Sequence, residues 1–368
     1  MRTRVVLCGT GHAHLLVLEH FARTPDPDME LHLVSQGQEQ VYSSRVSGFL
    51  AGALSREQTL LPLTGLARAA GATLHPQGAQ RVCTRERWLE LEDGSRLDYD
   101  FASLNVGAGL RREGLSEPHT RVQTLRPIAN ALALRMDLAR EGVLVVGGGA
   151  AGVELAFCLR ARTDAPTVLV TSSERVPAGS SAREDACVRR ILGRKGIEVI
   201  RGRVSQLHAD AAELTSGVRM RYGLALWATG AAPPSLLSRT DAALSDAGFL
   251  AVHPTLQSTS APTLFGAGDC VDFVSGRAPG KSGVYSVREG PVLARNLRAV
   301  VHGRKLQPYR PQRQALYILD VGDGTGIALG HGVPWHGRRA LALKRRLDVT
   351  FIKRLSRHGD GHGLGRVG

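Results

Sequence analysis

The residues best suited to chemistry are three glycines that join a strand to a helix in the middle of the chain. Four apolar residues, 143–146, read as a buried strand, and Gly147-x-Gly149-x-x-Gly152 opens an apolar helix. Here the first glycine permits a tight turn, the second lets a pyrophosphate approach the backbone, and the third lets the helix lie close on the strand. The first helical amides, from Ala150 onward, point with the helix dipole at an anion. The spacing predicts a dinucleotide cradle.

The same pattern stands near the N-terminus in a modified form. Residues 4–8 read as a strand that leads into Gly9-x-Gly11-x-x-His14, so that a histidine replaces the third glycine. This replacement either changes how the helix packs on the strand or puts an imidazole near the phosphates, and we favour the packing interpretation. His12 and His14 therefore join Gly9 and Gly11 as candidate contacts of a first dinucleotide.

The strand that follows each cradle ends in a hydroxyl residue where an acid normally binds the adenosine ribose. Ser35 takes this place in the first unit and Thr171 in the second. A hydroxyl can still hydrogen-bond a ribose, although without charge. Glu174 would suit a free 2′-hydroxyl and Arg175 a 2′-phosphate, so the choice between NADH and NADPH stays open.

Glycine motifs also end later buried strands. Asn105 and Gly107 close one such strand and Gly230 closes another, so the chain contains the same unit twice. A third motif ends in Gly268-Asp269, which puts a carboxylate beside backbone that a ligand can approach. In a flavin site this aspartate would accept hydrogen bonds from ligand hydroxyls. The alternative is an aspartate that closes a turn or caps a helix.

Length and composition indicate an α/β protein of more than one domain. The chain has 368 residues, 43% of them hydrophobic, and no apolar run of membrane-spanning length. Its first residues enter a strand directly, without a signal-peptide pattern, so we expect a cytoplasmic protein.

The formal net charge of +14 favours anionic partners such as phosphorylated cofactors or acidic lipid. No nucleic-acid-binding motif accompanies this charge, so nucleic acid is not an expected partner.

Cysteine spacing argues against three kinds of site. The five cysteines are scattered and form neither a C-x-x-C nor a C-x4-C pair. This pattern disfavours a disulfide scaffold, a zinc site and a redox-active dithiol. We therefore predict no metal site. The cysteines are Cys8, Cys83, Cys158, Cys187 and Cys270.

The ordered set of motifs resembles the two-dinucleotide-binding-domain flavoproteins of the pyridine nucleotide-disulfide oxidoreductase superfamily. Within it, the sequence is most similar to type II NADH dehydrogenase-like proteins, in particular the flavoprotein module that some organisms fuse to selenophosphate synthetase. The segments that carry this narrower likeness are Gly11–His14, Val41–Ser43, Gly283–Pro291, Asn296–Leu297 and Leu343–Asp348.

The resemblance implies two Rossmann-like domains, each with a small antiparallel meander, and a C-terminal α+β region. It implies a discontinuous FAD-binding domain over 1–107 and 247–305, an NAD(P)H-binding domain over 108–246, and an interface or membrane-docking region over 306–368. FAD would be held in the first cradle, by Gly9, Gly11 and Asp269. NADH or NADPH would be held in the second cradle, by Gly147, Gly149 and Gly152. Within the predicted NAD(P)H-binding domain, the sequence from Arg126 to Arg140 predicts one helix.

Hydride transfer from nicotinamide to flavin is cofactor chemistry, so the protein mainly aligns the rings and tunes charge. We nominate Lys281 and the amides of Gly283 and Val284 as stabilisers of the reduced flavin. Tyr285 packs either on the flavin or in the core. Glu154 contacts the nicotinamide ribose or forms a salt bridge.

The superfamily's disulfide members carry a C-x4-C helix after the first cradle, whereas this chain has Val41-Tyr-Ser-Ser there. The expected function is therefore oxidation of NAD(P)H with transfer of electrons to a quinone or another small acceptor. One alternative is a sulfide:quinone-type oxidoreductase. Another is a non-catalytic flavin-binding regulatory module linked to selenium metabolism.

A C-terminal helix bears on the electron acceptor. Leu343, Leu347, Phe351 and Leu355 recur every four residues, with basic residues beside them. This pattern predicts an interfacial helix on anionic lipid, at the inner face of the cytoplasmic membrane. The same stripe would also suit packing on the protein's own sheet or on a homodimer partner.

Overall fold

The computed structural model describes residues 2–111, 120–276, 279–330 and 332–357. The strands of these ranges are, in chain order, β1 (Thr3–Cys8), β2 (Met29–Val34), β3 (Glu39–Val41), β4 (Leu60–Pro62), β5 (Ala72–His75), β6 (Ala79–Cys83), β7 (Trp88–Leu91), β8 (Arg96–Asp98), β9 (Phe101–Leu104), β10 (Gly109–Leu110), β11 (Val122–Thr124), β12 (Val143–Val146), β13 (Thr167–Thr171), β14 (Ile197–Arg201), β15 (Val204–Leu207), β16 (Ala211–Leu214), β17 (Arg219–Arg221), β18 (Leu224–Trp227), β19 (Ala231–Ala232), β20 (Leu250–Val252), β21 (Leu264–Gly266), β22 (Val271–Phe273), β23 (Tyr317–Asp320), β24 (Gly326–Leu329) and β25 (Trp335–Gly337). The α-helices are α1 (His12–Arg23), α2 (Val46–Leu50), α3 (Arg56–Thr59), α4 (Leu63–Ala69), α5 (Ala150–Arg160), α6 (Ala182–Arg194), α7 (Gly283–Val301) and α8 (Arg338–Ser356).

The first five-stranded sheet is parallel and has the order β21-β9-β1-β2-β5. Its central strand β1 is apolar on both faces, as a buried parallel strand requires. Val5 and Leu7 pack in a core with α1 and α7, whereas Val6 and Cys8 pack toward the antiparallel meander β6-β7-β8. The late strand β21 lies beside β9, so residues far apart in the chain complete one sheet.

The second five-stranded sheet repeats this layout with the order β11-β18-β12-β13-β14. Val143 and Val145 pack in a core with α5 and α6, and Leu144 and Val146 pack toward the meander β15-β16-β17. The prediction of a doubled Rossmann-like unit with small meanders is therefore confirmed.

The C-terminal part consists of the antiparallel sheet β23-β24-β25 and α8, which packs on that sheet and reaches α1 and α4. Of the alternatives for the apolar stripe of α8, packing on the protein itself applies to most of its length. Leu355 is buried in the core of the first sheet, Phe351 packs against that core, and Leu343 is half-buried. Only Leu347 of the four is mainly solvent-exposed, at 51%. Among the described helices, none has both the length and the apolar character needed to span a bilayer.

The predicted single helix from Arg126 to Arg140 is also wrong. Two short 3-10 helices, Ile128–Ala133 and Met136–Glu141, occupy this segment. Leu134 between them is extended, with ψ of 128°. The backbone N–H of Arg135 then donates to Gln123 Oε1 at 3.0 Å. The break occurs because this amide bonds to a neighbouring strand instead of to a helical carbonyl.

Candidate functional site

The first cradle lies where β1 turns into α1. Gly9 has φ of +91°, and a Cβ on it would lie 2.6 Å from Asn105 O. A Cβ on Gly11, the N-cap of α1, would lie 2.4 Å from Asn105 Oδ1. Both positions therefore require glycine, and the turn leaves its backbone bare at the start of a helix, as an approaching diphosphate requires.

Asn105 joins this turn to the one at Gly268. Its Oδ1 accepts from the His14 backbone N–H at 3.2 Å, and its Nδ2 donates to Ala267 O at 2.7 Å. Gly268 has φ of +75°, and a Cβ on it would lie 2.6 Å from the same Nδ2. The Asn105 side chain thus joins the turn at Gly9 to the turn at Gly268, and its contact with a cofactor stays a prediction.

His14 lies beneath the cradle and is fully buried. Its Nδ1 lies 2.7 Å from Gly9 O and its Nε2 2.9 Å from Ser103 Oγ. Since a carbonyl only accepts, Nδ1 carries the proton, and Nε2 accepts from the serine hydroxyl. Burial lowers the pKa of His14 to about 4, so the ring is neutral. These contacts suit a packing role for His14.

We expect His14→Gln to remove a pH-dependent part of stability. The unfolded chain protonates this ring near pH 6.5, whereas the folded protein does so only near pH 4. The free energy of unfolding therefore falls between these values as pH decreases, by about 2 kcal/mol at pH 5 for this group. Urea unfolding at pH 7.5 and pH 5 should show a smaller loss in the variant than in the wild type. His253→Gln, at an exposed histidine, is the matched control, and equal losses in His14→Gln and wild type would contradict the assignment.

Asp269 is the carboxylate of the first cradle. Burial raises its pKa, against the opposing charges of Arg126 and Lys281. Arg126 Nη1 lies 3.6 Å from Asp269 Oδ2. The sequence predicted Arg126 only as the start of a helix. Its pairing with Asp269 was not predicted, because no motif links the two residues. The pair supplies an acceptor and a donor at the mouth of the cradle.

The nominated stabilisers before α7 have partners within the protein. Lys281 Nζ donates to Asp272 Oδ1 at 2.8 Å and to Val271 O, and it lies 3.7 Å from the centre of the Phe249 ring. Its direct role at a flavin stays a prediction, since the ammonium is already paired.

A backbone N–H at the start of α7, which follows Lys281, also has a partner within the protein. Ser282 Oγ accepts from the Val284 N–H at 3.4 Å as the N-cap of α7. Gly283 lies close to His12, since a Cβ on Gly283 would be 3.3 Å from His12 Cε1. Tyr285 is half-buried, against Gly280 and near Tyr317. The start of α7 therefore meets the start of α1 at the first cradle.

The second cradle lies where β12 turns into α5. Gly147 has φ of +128°, and a Cβ on it would lie 2.3 Å from Ala228 O. A Cβ on Gly152 would lie 1.8 Å from Gly147 O, so α5 lies close against this turn. Gly149, the N-cap of α5, faces open space. Two glycines are thus required by the fold, and the third leaves room for a ligand.

The hydroxyl residues at the strand ends lie deep beside the cradles. Thr171 is buried, its Oγ1 accepts from the Ser173 N–H at 3.0 Å, and it lies directly under Gly148. Ser35 is buried at the end of β2, where its backbone N–H donates to His75 O at 3.0 Å. Their ribose contacts stay predictions, as do those of the two strand-ending glycines, which face open space. These are Gly107 and Gly230.

Glu154 forms a salt bridge with Lys344. Its Oε1 accepts from the Asp320 N–H at 2.8 Å and lies 3.4 Å from Lys344 Nζ on α8. Burial by itself would lower the pKa of Lys344, but the charges of Glu154 and Asp348 hold it above the usual value. The lysine therefore stays charged and ties α8 to the first turns of α5.

The same network continues to the first cradle. Lys344 Nζ donates to Ser44 Oγ at 3.4 Å, and Ser44 Oγ donates to Asp348 Oδ1 at 2.6 Å. Asp348 also accepts from Tyr42 OH at 3.2 Å. The Tyr42 ring is stacked on Phe351, with centroids 5.2 Å apart, and lies 5.5 Å from the ring of His12 at the start of α1. Side-chain contacts thus run without a gap from α5 to α1.

Two cysteines lie beneath the first cradle, on β1 and after Asp269. Cys8 and Cys270 are buried, and burial raises the pKa of each thiol to about 12. Cys270 Sγ is 3.2 Å from Ala267 O, to which it donates. Since the thiolate is the nucleophile, these thiols are poorly suited to persulfide chemistry. All five cysteines are free.

One group of described side chains has the spacing of metal ligands, namely Asp26, Asp28 and His302. Asp26 Oδ2 is already bonded to Arg298 Nε at 3.2 Å and His302 Nε2 at 3.0 Å. A guanidinium on the same carboxylate opposes a second cation, so we assign no metal there.

The sequence model of the pyridine nucleotide-disulphide oxidoreductase family matches residues 3–296. The chain belongs to this family. It is 31% identical over 190 residues to the biphenyl dioxygenase system ferredoxin–NAD(+) reductase component of Paraburkholderia xenovorans, covering 50% of this chain and 46% of the relative. It is 26% identical over 248 residues to ferroptosis suppressor protein 1 of Xenopus tropicalis, covering 61% and 63%. The chain thus spans about half the length of these relatives.

Solved structures show the same fold at low sequence identity. NDH2 from Plasmodium falciparum in complex with NADH has a TM-score of 0.84 and 13% identity, covering 97% of this chain and 96% of its own. Sulfide:quinone oxidoreductase from Aquifex aeolicus has a TM-score of 0.81 and 17% identity, covering 97% and 92%. At such identities the likeness shows the fold alone.

Family membership implies FAD and NADH or NADPH as the cofactors of the chain. The structure fits two dinucleotides. Each cradle has at least one glycine at which a Cβ would strike backbone, at the start of a helix whose first turn lacks acidic residues. The first cradle adds Asp269, which suits the hydroxyls of FAD.

Proposed function

We propose that the protein oxidises NAD(P)H by hydride transfer to FAD and passes the electrons to a quinone or another small acceptor without a redox disulfide. The observation that carries this proposal is the unbroken set of side-chain contacts between the starts of α1 and α5. It runs from His12 through Tyr42 and Asp348 to Lys344 and Glu154. Helices that start at two dinucleotide cradles are thus held together by one buried network, as transfer between two cofactors requires.

The chain's own residues bind and orient in this scheme. FAD supplies the two-electron chemistry when it is bound. Gly9 and Gly11 offer bare backbone to one diphosphate, and Gly149 offers it to the other. Asp269 accepts hydrogen bonds from ligand hydroxyls, and Arg126 holds that carboxylate in place. No cysteine pair is needed for any of these tasks.

The aromatic cluster of His12, Tyr42 and Phe351 supports a planar acceptor. These rings come from α1, the segment after β3 and α8, and they meet within 5.2–5.7 Å. Burial lowers the pKa of His12 to about 4, so the cluster carries no positive charge. A neutral aromatic surface suits the head of a quinone better than an anion.

The outer face of α8 supports peripheral contact with an anionic membrane, the source of such an acceptor. Arg345, Arg346 and Lys353 are exposed on it. Leu347 on the same helix and Trp335 on β25 are 51% and 42% exposed. Basic residues around exposed apolar side chains are typical of proteins that bind the surface of acidic lipid. The proposal therefore includes docking at the inner face of the cytoplasmic membrane.

The proposal is tested by mixing FAD-loaded protein anaerobically with NADH or NADPH and following the flavin absorbance. We expect bleaching with at least one nucleotide, then reoxidation by quinone that is faster in anionic than in neutral vesicles. Dyes and oxygen complete the acceptor series. Bound flavin that neither nucleotide bleaches would reject the proposal and favour a non-catalytic flavin module. Bleaching by sulfide alone would favour the sulfide:quinone alternative.

A further inference from the structure

Glu289 is a buried acid that none of the roles above uses. It lies on α7 and is only 1% exposed. Its Oε2 accepts from the Gly268 backbone N–H at 2.5 Å. Its Oε1 has no hydrogen-bond partner among the residues that the structure describes. A buried carboxyl with one oxygen bonded to a ligand-facing loop and the other unpaired calls for a functional explanation.

Glu289 lies at the junction of three elements of the first cradle. Gly268, which it binds, directly precedes Asp269. Helix α7 packs tightly on α1, where a Cβ on Gly290 would lie 2.9 Å from Ala13 O. Ser286, one turn earlier on α7, accepts from the Ala13 N–H at 3.2 Å. A change in the charge of Glu289 therefore acts directly on the loop that carries Asp269.

We propose that Glu289 is a positioning residue for FAD: its carboxyl accepts from the Gly268 amide and so places Asp269, and the negative charge that it gains on ionisation weakens cofactor binding. This inference rests on the proposed function, since it assumes FAD in the first cradle. Asp269 and Glu289 are two carboxyls in one buried site, and two such groups resist carrying charge together. A diphosphate brings further negative charge to the same cradle.

The pH range follows from the surroundings of Glu289. Burial and the charge of Asp269 raise its pKa to about 7, while the Gly268 amide and Lys281 oppose the shift. Two other titratable groups face it, and burial raises the pKa of both, to about 12 for Cys270 and higher still for Tyr309. Neither changes charge between pH 6 and pH 9. Of Glu289, Cys270 and Tyr309, only Glu289 has a pKa within that range.

The sign of the effect is fixed by linkage. Bound FAD disfavours a second negative charge, so the pKa of Glu289 is higher in the complex than in the free protein. Binding then takes up a proton at pH values above about 7, and the affinity falls as pH rises, by at most tenfold per pH unit. Below pH 6 the carboxyl is neutral in both states and the affinity is constant.

The test measures the Kd of FAD for deflavinated protein at pH 6, 7, 8 and 8.5 by quenching of flavin fluorescence. In the wild type we expect Kd to rise about fivefold or more across this range. Glu289→Gln keeps an oxygen for the Gly268 amide and cannot ionise, so its Kd should match the wild type at pH 6 and stay flat. Glu289→Ala loses the acceptor, so it should bind about tenfold more weakly already at pH 6.

Glu19→Gln is the matched control. Glu19 is a buried acid on the neighbouring helix α1, paired with Arg354 at 2.8 Å, and its pKa is lowered. This variant should keep the pH dependence of the wild type, and thermal unfolding without flavin shows that each variant is folded. A Glu289→Gln protein that titrates like the wild type, or a wild type with constant Kd, overturns the inference and leaves the proposed function standing. A wild type that binds no FAD at any pH overturns both.

Discussion

Replacing Gly152 with alanine should slow reduction of the flavin by NAD(P)H about 100-fold while FAD stays bound. The new Cβ would lie 1.8 Å from Gly147 O, far inside contact distance, and the atom it meets is backbone. Helix α5 and the Gly147 turn must then separate by an ångström or more, which moves the second dinucleotide relative to the first. A misplacement of about 1 Å can cost roughly 100-fold in rate. Stopped-flow bleaching by NADH and NADPH measures the effect.

Gly193→Ala is the control for this change. Gly193 lies in α6 of the same half of the molecule, and a Cβ on it would meet nothing within 4 Å. Alanine is the better helix former, so this variant should be as stable as the wild type or more so and should bleach normally. Bleaching of Gly152→Ala at the wild-type rate would show that the second cradle is not the nicotinamide site.

Both cradles were predictable from sequence because their determinants are local. The turn, the helix start and the residue at the packing position lie within six residues in each copy, Gly9 to His14 and Gly147 to Gly152. The departure at His14 was also interpretable, since a residue that replaces the packing glycine must face the strand. The structure adds its hydrogen bonds to Gly9 and Ser103, which no local pattern encodes.

The buried network was not predictable, because its partners are far apart in the chain. Asp348 and Ser44 are 304 residues apart. From sequence alone, Lys344 and Asp348 look like charges misplaced in the apolar arc of α8. The fold explains them, since each meets an opposite charge or a hydroxyl where α8 crosses the two halves. Lys281 is a related case, because the sequence did not predict its pairing with Asp272, and its role at the cofactor stays a prediction.

Replacing Lys344 with methionine should destabilise the protein more than any other single change of charge on α8. Its side chain is only 13% exposed, and the substitution leaves the carboxylate of Glu154 without its cation. Removing one partner of a buried ion pair typically costs about 3–5 kcal/mol. Since α8 also carries Phe351 and Asp348 against Tyr42, we expect slower transfer to quinone as well. Urea unfolding of FAD-loaded protein measures the free-energy change.

Two further variants separate this pairing from a general effect of charge. Lys353→Met, at an exposed site on the same helix, should change the free energy of unfolding by no more than about 0.5 kcal/mol. Adding Glu154→Gln to Lys344→Met removes the orphaned charge and should restore part of the lost stability. If the double variant is as unstable as the sum of its two single changes, Glu154 and Lys344 do not stabilise the fold as a pair. The contact between α5 and α8 would then depend on apolar packing alone.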